Sequence, residues 1–571
     1  MSCLQLFAHE GDANQFQRLI VEKDYKWENG ETLTCSFIKP PPGTLEPKQS
    51  ENPATPRVKA MVEHFAHQWE RFANIKFKFV KPNDMNATIR ITLVDGGGAN
   101  SYVGTDNKHH KGLKTMNLGW FVDGKADKEF SRTTLHEFGH ALGCKHEQFN
   151  EKVHWIKKKL YDYYKNQGWS PDDVDRAYYY WMPVREGGEF AFTQWDKTSI
   201  MQYDHPADWT EEGIEAPVNR TLSKQDMVFI EEMYPFNKPY TEDPPIYKGC
   251  YAAVNVFEYK HAKMYIALFC QGETGDLYKV KSIYRSGSPK INENPTCETN
   301  TFSSQAIRRT PLASIVHYDG PGEPTTHVFY VDKDLNIREC IWRNGEEHGH
   351  YNLGFKVSLD SQLAAVCWKE SDVTHIKLLF QAEDGSIQER CKTGDSPWTR
   401  GNFLNISGDD NTRPVFGTSL SVINTTPNDD KPALKVFWQT SVKGHIREAT
   451  FDGKSWKLSE NVVGPAPYHT PIVAGILGPR KAPEVVFFYM NSDKKIVKQL
   501  VGGWDSIVGE ESMPHDEGSR LAAVSSDAGF HIFASHRNCI SKRVFPKDGD
   551  AWSEWALPIK ITVSSDGTLK N

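Results

Sequence analysis

The sequence predicts a multidomain chain in which an α+β unit is followed by an all-β six-bladed propeller. Three observations carry that expectation. The chain has 571 residues, more than a single hydrophobic core accommodates, so at least two domains are required. A segment with four prolines, YPFNKPYTEDPPIYKG from Tyr234 to Gly249, divides two different textures, as linkers between domains do. Beyond it a strand-rich unit recurs six times, with a period of about 50 residues.

The division that follows is an N-terminal extension at 1–23, an α+β domain at 24–235, a linker at 236–248 and the propeller at 249–571. In the α+β part, KWENGETLTCSFI (26–38) reads as a strand and VKAMVEHFAHQWERFA (58–73) as a helix by its apolar spacing. IKFKFV, ATIRITLV and LKTMNLGWF (113–121) read as strands. A helix is expected from near Arg132. Another is expected over LSKQDMVFIEEMY (222–234), with Ser223 as its N-cap and Asp226 three residues on. In the propeller part each unit opens on a small-residue strand: YAAV, LASIV, LAAV, LSVI, IVAGI and a second LAAV. The next two strands show in KLLFQAEDGSIQE and KVFWQTSVKGHIRE. A pair of β-sandwiches is the alternative, and six copies in register argue against it.

Composition narrows the function. A formal charge of −7 and a pI near 6.3 exclude nucleic acid as the main partner, since no concentrated basic face exists. No apolar run approaches the ~20 residues of a membrane span. The first residues, MSCLQLFAHEGDANQFQ, lack a basic start, a long apolar stretch and a cleavage site. The expectation is therefore a cytoplasmic protein or one released by a non-classical route. Ten cysteines without paired spacing read as free thiols.

The chemistry lies in Thr134-LHEFGHALGCKHE. His136 and His140 are four apart, so on a helix both imidazoles project from one face toward one metal. Glu137 sits beside them, where a carboxylate can take a proton from a zinc-activated water and pass it to the leaving amine. Gly143 can adopt a left-handed conformation and turn the chain back, so that His146 supplies a third ligand and leaves a fourth position open. His109-His110, in a Lys-rich loop, reads as solvated. Cys144 reads as a buried small residue.

With its added glycine and third histidine the motif resembles the metzincins, and Glu147 after His146 is similar to the astacin branch. Ser199-Ile-Met-Gln-Tyr203 resembles the family's methionine turn. The resemblance implies an astacin-like zinc endopeptidase domain over 24–235 that acts on proteins or peptides. It implies Zn2+ as cofactor, Met201 as the apolar base under the histidines, and Tyr203 as a hydroxyl that stabilises the oxyanion. SYVGTD (101–106) and TMNLGWF resemble the family's sheet, whose edge strand takes substrate by strand addition. The paired cysteines and signal peptide of animal astacins are missing.

The repeats resemble the fungal fucose-specific lectins, six-bladed propellers that hold a sugar between blades with an Arg, a Glu and a Trp of the next blade. Three units keep the glutamate, as Glu339, Glu389 and Glu448, while His327, Lys377 and Lys435 stand at the arginine position. Trp398, Trp456 and Trp504 are the following tryptophans. The resemblance implies fucosylated or other glycans as partners. Lysine offers a single mobile donor where arginine offers a planar fork. Each Lys/Glu pair reads equally as a surface ion pair, and each Trp equally as a packing residue. Two functions from different classes thus stand side by side: a zinc endopeptidase with a docking propeller, or a lectin-like protein whose protease half is an inert scaffold.

Overall fold

In the computed structural model the chain forms two compact units, Met1–Phe236 and Asn237–Asn571. The described residues of the first are 25–149, 153–179 and 195–236. Those of the second are 246–258, 263–272, 275–284, 297–303, 305–319, 323–404, 412–426, 431–477, 484–493, 495–500, 507–511, 520–526, 529–536, 539–546, 556–559, 562–563 and 569–570. The N-terminal extension and most of the expected linker lie outside them. No helix among the described residues is long and apolar enough to cross a membrane.

The first unit is built on strands β1 (Thr32–Phe37), β2 (Lys76–Phe79), β3 (Ile89–Thr92), β4 (Ala99–Ser101) and β5 (Met116–Leu118). Their order is β2-β1-β3-β5-β4, with only β4 antiparallel to its neighbour. The strands are shorter than the sequence suggests, and β4 forms one edge. All four residues of β3 are buried, Arg90 included. Its guanidinium donates to the carbonyls of Ala87, His110 and Leu113, which ties the loop before β5 to the sheet. That corrects the reading of His110 as solvated: its ring stacks on Tyr102, centroids 3.7 Å apart, while His109 is exposed.

Helix α1 (Pro56–Ala66) starts with proline in its first turn and Thr55 accepting from the Val58 amide, and buries Val58, Met61, Val62 and Phe65 at the spacing of one face. Helix α2 (Asp127–Ala141) begins five residues ahead of the expected Arg132. Asp127 and Glu129 in its first turn suit the helix dipole, and Asp127 forms a buried ion pair with Arg57 of α1. Helices α3 (Lys157–Lys165) and α4 (Pro171–Tyr178) occupy a stretch with no assigned structure in the sequence reading. Their apolar faces join Val153, Trp155 and Trp209 in one cluster, against which Tyr203 packs. Helix α5 (Lys224–Met233) closes the unit with a full capping box of Ser223 and Asp226.

Among its described residues the second unit holds six four-stranded antiparallel sheets, each wound in sequence order, and no helix. Their innermost strands are Ile246–Glu258, Ala313–Tyr318, Leu363–Glu370, Ser421–Asn424, Ile472–Leu477 and Ala522–Ser526. Each packs on the innermost strand of the next sheet, and the sixth packs on the first. The ring is closed, so the fold is a six-bladed propeller. The first blade's strand starts at Ile246, inside the stretch expected as linker. Apolar clusters fill the seams between blades.

A buried glutamine adds a polar tie. Gln381 accepts from the Gly417 amide (2.8 Å) and donates to the carbonyls of Gly385 (2.7 Å) and Val415 (3.0 Å). It thereby joins its own hairpin to the loop that opens the next blade, and Gln271 and Gln439 repeat the arrangement. Cys35, Cys144, Cys270, Cys340, Cys367 and Cys391 are free thiols, the first four of them buried.

Candidate metal centre and propeller clusters

Helix α2 ends at Leu142 in a left-handed turn with Gly143 at φ +103°. The Cys144 amide returns to the Gly139 carbonyl (2.9 Å) and the Gly143 amide to that of His140 (2.8 Å), the double bond of a Schellman ending. Two further carbonyls of the last turn, Ala141 and Leu142, accept from Trp27 Nε1 (2.7 Å) and the Tyr234 hydroxyl (2.8 Å). The helix end is therefore fully anchored, and the reversal carries His146 back over His136 and His140.

The three Nε2 atoms converge. His140 and His146 are 3.0 Å apart, and His146 and His136 are 3.2 Å apart. His136 Nδ1 donates to the Ile200 carbonyl (2.8 Å) and His140 Nδ1 to the Cys144 carbonyl (2.7 Å). A carbonyl only accepts, so both Nδ1 atoms carry the proton and both Nε2 lone pairs face inward. Burial keeps all three rings neutral: His136 is pushed down to about 4, and His140 and His146 well below their ordinary value. Neutral imidazoles with converging lone pairs fit a cation, since tetrahedral bonds of about 2.0–2.1 Å put ligand nitrogens a little over 3 Å apart. The residues fit zinc.

Beneath the histidines Met201 is fully buried. A side chain at Gly139 would place Cβ 2.5 Å from Met201 Sδ and 3.2 Å from the Trp69 ring, so the glycine inside H-E-x-G-H is needed for that contact. The turn holding Met201 is tied to α5 by Asp226, which accepts from Ser199 Oγ (2.6 Å), the Ile200 amide (2.8 Å) and the Ser223 amide (2.8 Å). Ile200 in turn orients His136. The sequence reading missed both functions, because Asp226 was legible only as a helix cap. Asp226→Asn puts an N–H donor where an acceptor stands. It should lower stability by about 1–3 kcal/mol and zinc affinity at least ~10-fold, as read by urea midpoint and metal titration.

Glu137 is buried on the next helix position. Tyr203 is half-buried, its ring 4.5 Å from that of His146 and 5.8 Å from that of His136. Both line a cleft of about 700 Å³, part of it open to solvent, with Trp120, Arg132, Tyr163 and Gln167. Glu147 accepts from the Asp196 amide (2.9 Å), and its own amide donates to the Met201 carbonyl (3.1 Å). It holds the turn that carries Met201. Burial pushes the Cys144 thiol up, which leaves it unreactive.

In three successive blades of the propeller, the basic and acidic residues meet diagonally across the second and third strands. Lys377 pairs with Glu389, Lys435 with Glu448 (2.9 Å), and His327 Nδ1 with Glu339 (2.7 Å). The next blade's tryptophan reaches the same carboxylate: Trp456 Nε1 lies 3.3 Å from Glu389, and Trp398 Nε1 3.4 Å from Glu339. Trp504 falls outside the described residues. The surface ion-pair reading is corrected, because every glutamate is at most 2% exposed and a buried carboxylate requires its partners. Trp456 is 5% exposed and packs on Phe403 and Phe451, whereas Trp398 is half-buried. Sequence reasoning missed His317, whose Nε2 is 3.0 Å from that of His327 and whose Nδ1 is 2.9 Å from Asp319.

The class that fold and clusters define is a six-bladed propeller with acidic–basic–aromatic groups at successive blades. Residues 281–534 match the fungal fucose-specific lectin family. The chain is 35% identical over 351 residues to fucose-specific lectin g276 of Arthrobotrys oligospora, covering 57% of this chain and 90% of the relative. It belongs to that family. Among solved structures, the lectin of Aleuria aurantia, described as a six-bladed β-propeller, is similar at 18% identity with a TM-score of 0.45, covering 56% of this chain and 97% of that one. A structure of myroilysin is similar at 35% identity with a TM-score of 0.33, covering 38% of this chain and 99% of that one.

Proposed function

We propose that the chain is a zinc-dependent endopeptidase whose propeller binds fucosylated glycans. The peptidase reading is carried by one observation: three neutral histidines turn their Nε2 atoms to a common point, and His136, Glu137 and Tyr203 line one cleft. When bound, zinc supplies Lewis-acid polarisation of the scissile carbonyl and activates a water. His136, His140 and His146 hold the ion. Glu137 takes the proton from the attacking water and delivers it to the departing amine. Tyr203 donates its hydroxyl hydrogen to the carbonyl oxygen as negative charge develops there. The edge strand β4 offers main-chain groups for an extended peptide. Incubation of the purified chain with a proteome-derived peptide library, with and without chelator, tests the reading. Cleavage that chelation abolishes and zinc restores is expected, and an unchanged library would sink it.

Fucose binding is supported by membership of the lectin family and by the clusters at Glu339, Glu389 and Glu448. Of Trp398 and Trp456, Trp398 is the more exposed, so Trp398→Ala should weaken binding to an immobilised fucoside by about 1–2 kcal/mol through lost stacking. Trp456→Ala should instead cost about 3–5 kcal/mol of stability, because its ring is packed between blades. The inert-scaffold reading is favoured by the family match, which lies in the propeller. An intact Glu137 speaks against it, since a scaffold has no use for the base.

A further inference from the structure

We infer that Cys340, Glu347 and His350 form a second metal site, on the outer strands of the second blade, that takes a zinc-like divalent cation. The three side chains offer Sγ, a carboxylate oxygen and Nε2, all within 4.8 Å of one another. The spacing suits one ion: Sγ lies 3.7 Å from His350 Nε2, close to the edge of a tetrahedron with a thiolate bond of about 2.3 Å and an imidazole bond of about 2.0 Å. The carboxylate of Glu347 stands 2.8 Å from the same nitrogen.

The backbone builds this convergence. Strands Asn336–Arg343 and Glu346–Lys356 are joined by the two-residue turn Asn344-Gly345, both at positive φ, as a hairpin of this kind requires. Cys340 lies directly opposite His350, and Trp342 opposite Glu347. Strict alternation would send residues 347 and 350 to opposite faces. A bulge between the Ile341–Gly349 and Trp342–Glu347 pairs leaves His348 unopposed, with Gly349 at φ +140°. The bulge brings Glu347 and His350 onto the face of Cys340, which is how bulges re-aim side chains.

The surroundings complete a ligand environment. The Tyr330 hydroxyl contacts His350 Nδ1 (3.1 Å) and accepts from Ser303 Oγ (3.3 Å), so the ring is held from behind with Nε2 toward the other two donors. Cys340 is fully buried, while Glu347 and His350 are partly exposed. An ion enters from solvent and keeps one open position on that side. A thiolate, an imidazole and a carboxylate together select zinc-like cations over calcium or magnesium.

Cobalt titration of the full chain, stripped of metal, tests the site. The three-histidine centre contains no thiolate, so a thiolate-to-cobalt charge-transfer band reports a cysteine ligand outside it, and its loss in Cys340→Ala assigns that ligand. The band should reach its maximum within two equivalents, one for each centre, and vanish in Cys340→Ala. Glu347→Gln, at an exposed position that leaves folding untouched, should raise the cobalt dissociation constant read from that band about 10-fold. A chain with no such band at saturating cobalt overturns the proposal, as does a band that survives Cys340→Ala. Should Cys340→Ala fail to fold, an unaltered constant in Glu347→Gln overturns it equally.

Discussion

Glu137→Gln should keep the fold and the zinc and lose peptidase turnover by a factor of ~10² to 10⁴, the size of a general-base contribution. Glutamine has the same shape and the same preference for a helix interior, and Glu137 makes no part of the three-nitrogen cluster. Metal content and thermal midpoint should therefore match the parent chain. What is lost is an acceptor for the proton of the attacking water and a donor for the departing amine. Single-turnover hydrolysis of a short peptide, with zinc measured on the same sample, separates loss of the base from loss of the metal. Full activity in a zinc-loaded variant would put the base on another residue.

Tyr203→Phe has the second largest expected effect, a fall in kcat of about 10² with little change in KM. The ring packs at 4.5 Å on His146 and belongs to the edge of the aromatic cluster with Tyr178 and Trp209. Phenylalanine keeps that packing and removes only the hydroxyl. Since the hydroxyl acts on charge that develops during attack, its loss should appear in the transition state rather than in binding. A rise in KM at constant kcat would instead make Tyr203 a substrate-binding residue.

The parts of the molecule legible in the sequence are those encoded by short spacings. Two histidines four apart, a glycine and a third histidine describe one helix end, and the structure builds that end with Gly143 at positive φ. The blades were legible because a strand alternation repeats. What was not legible depends on residues far apart in the chain. Asp226 reaches back 27 residues to Ser199, and nothing in its helix reveals this beyond the cap. The early start of α2 follows from the pairing of Asp127 with Arg57 70 residues away. The glutamines between blades sit in ordinary strand positions, and only their burial shows the tie. The grouping of Glu347 with His350 contradicts a period-two reading until the bulge at His348 is seen.

The proposed peptidase is directed by its sugar-binding propeller, which raises its effective concentration on a marked surface. The most direct test is the cleavage rate of one fucosylated glycoprotein before and after enzymatic defucosylation, at limiting substrate and with the zinc-loaded full chain. Faster cleavage of the fucosylated form is expected, with loss of that difference when free fucose is added. Equal rates for the two forms, or no cleavage of either, would contradict it.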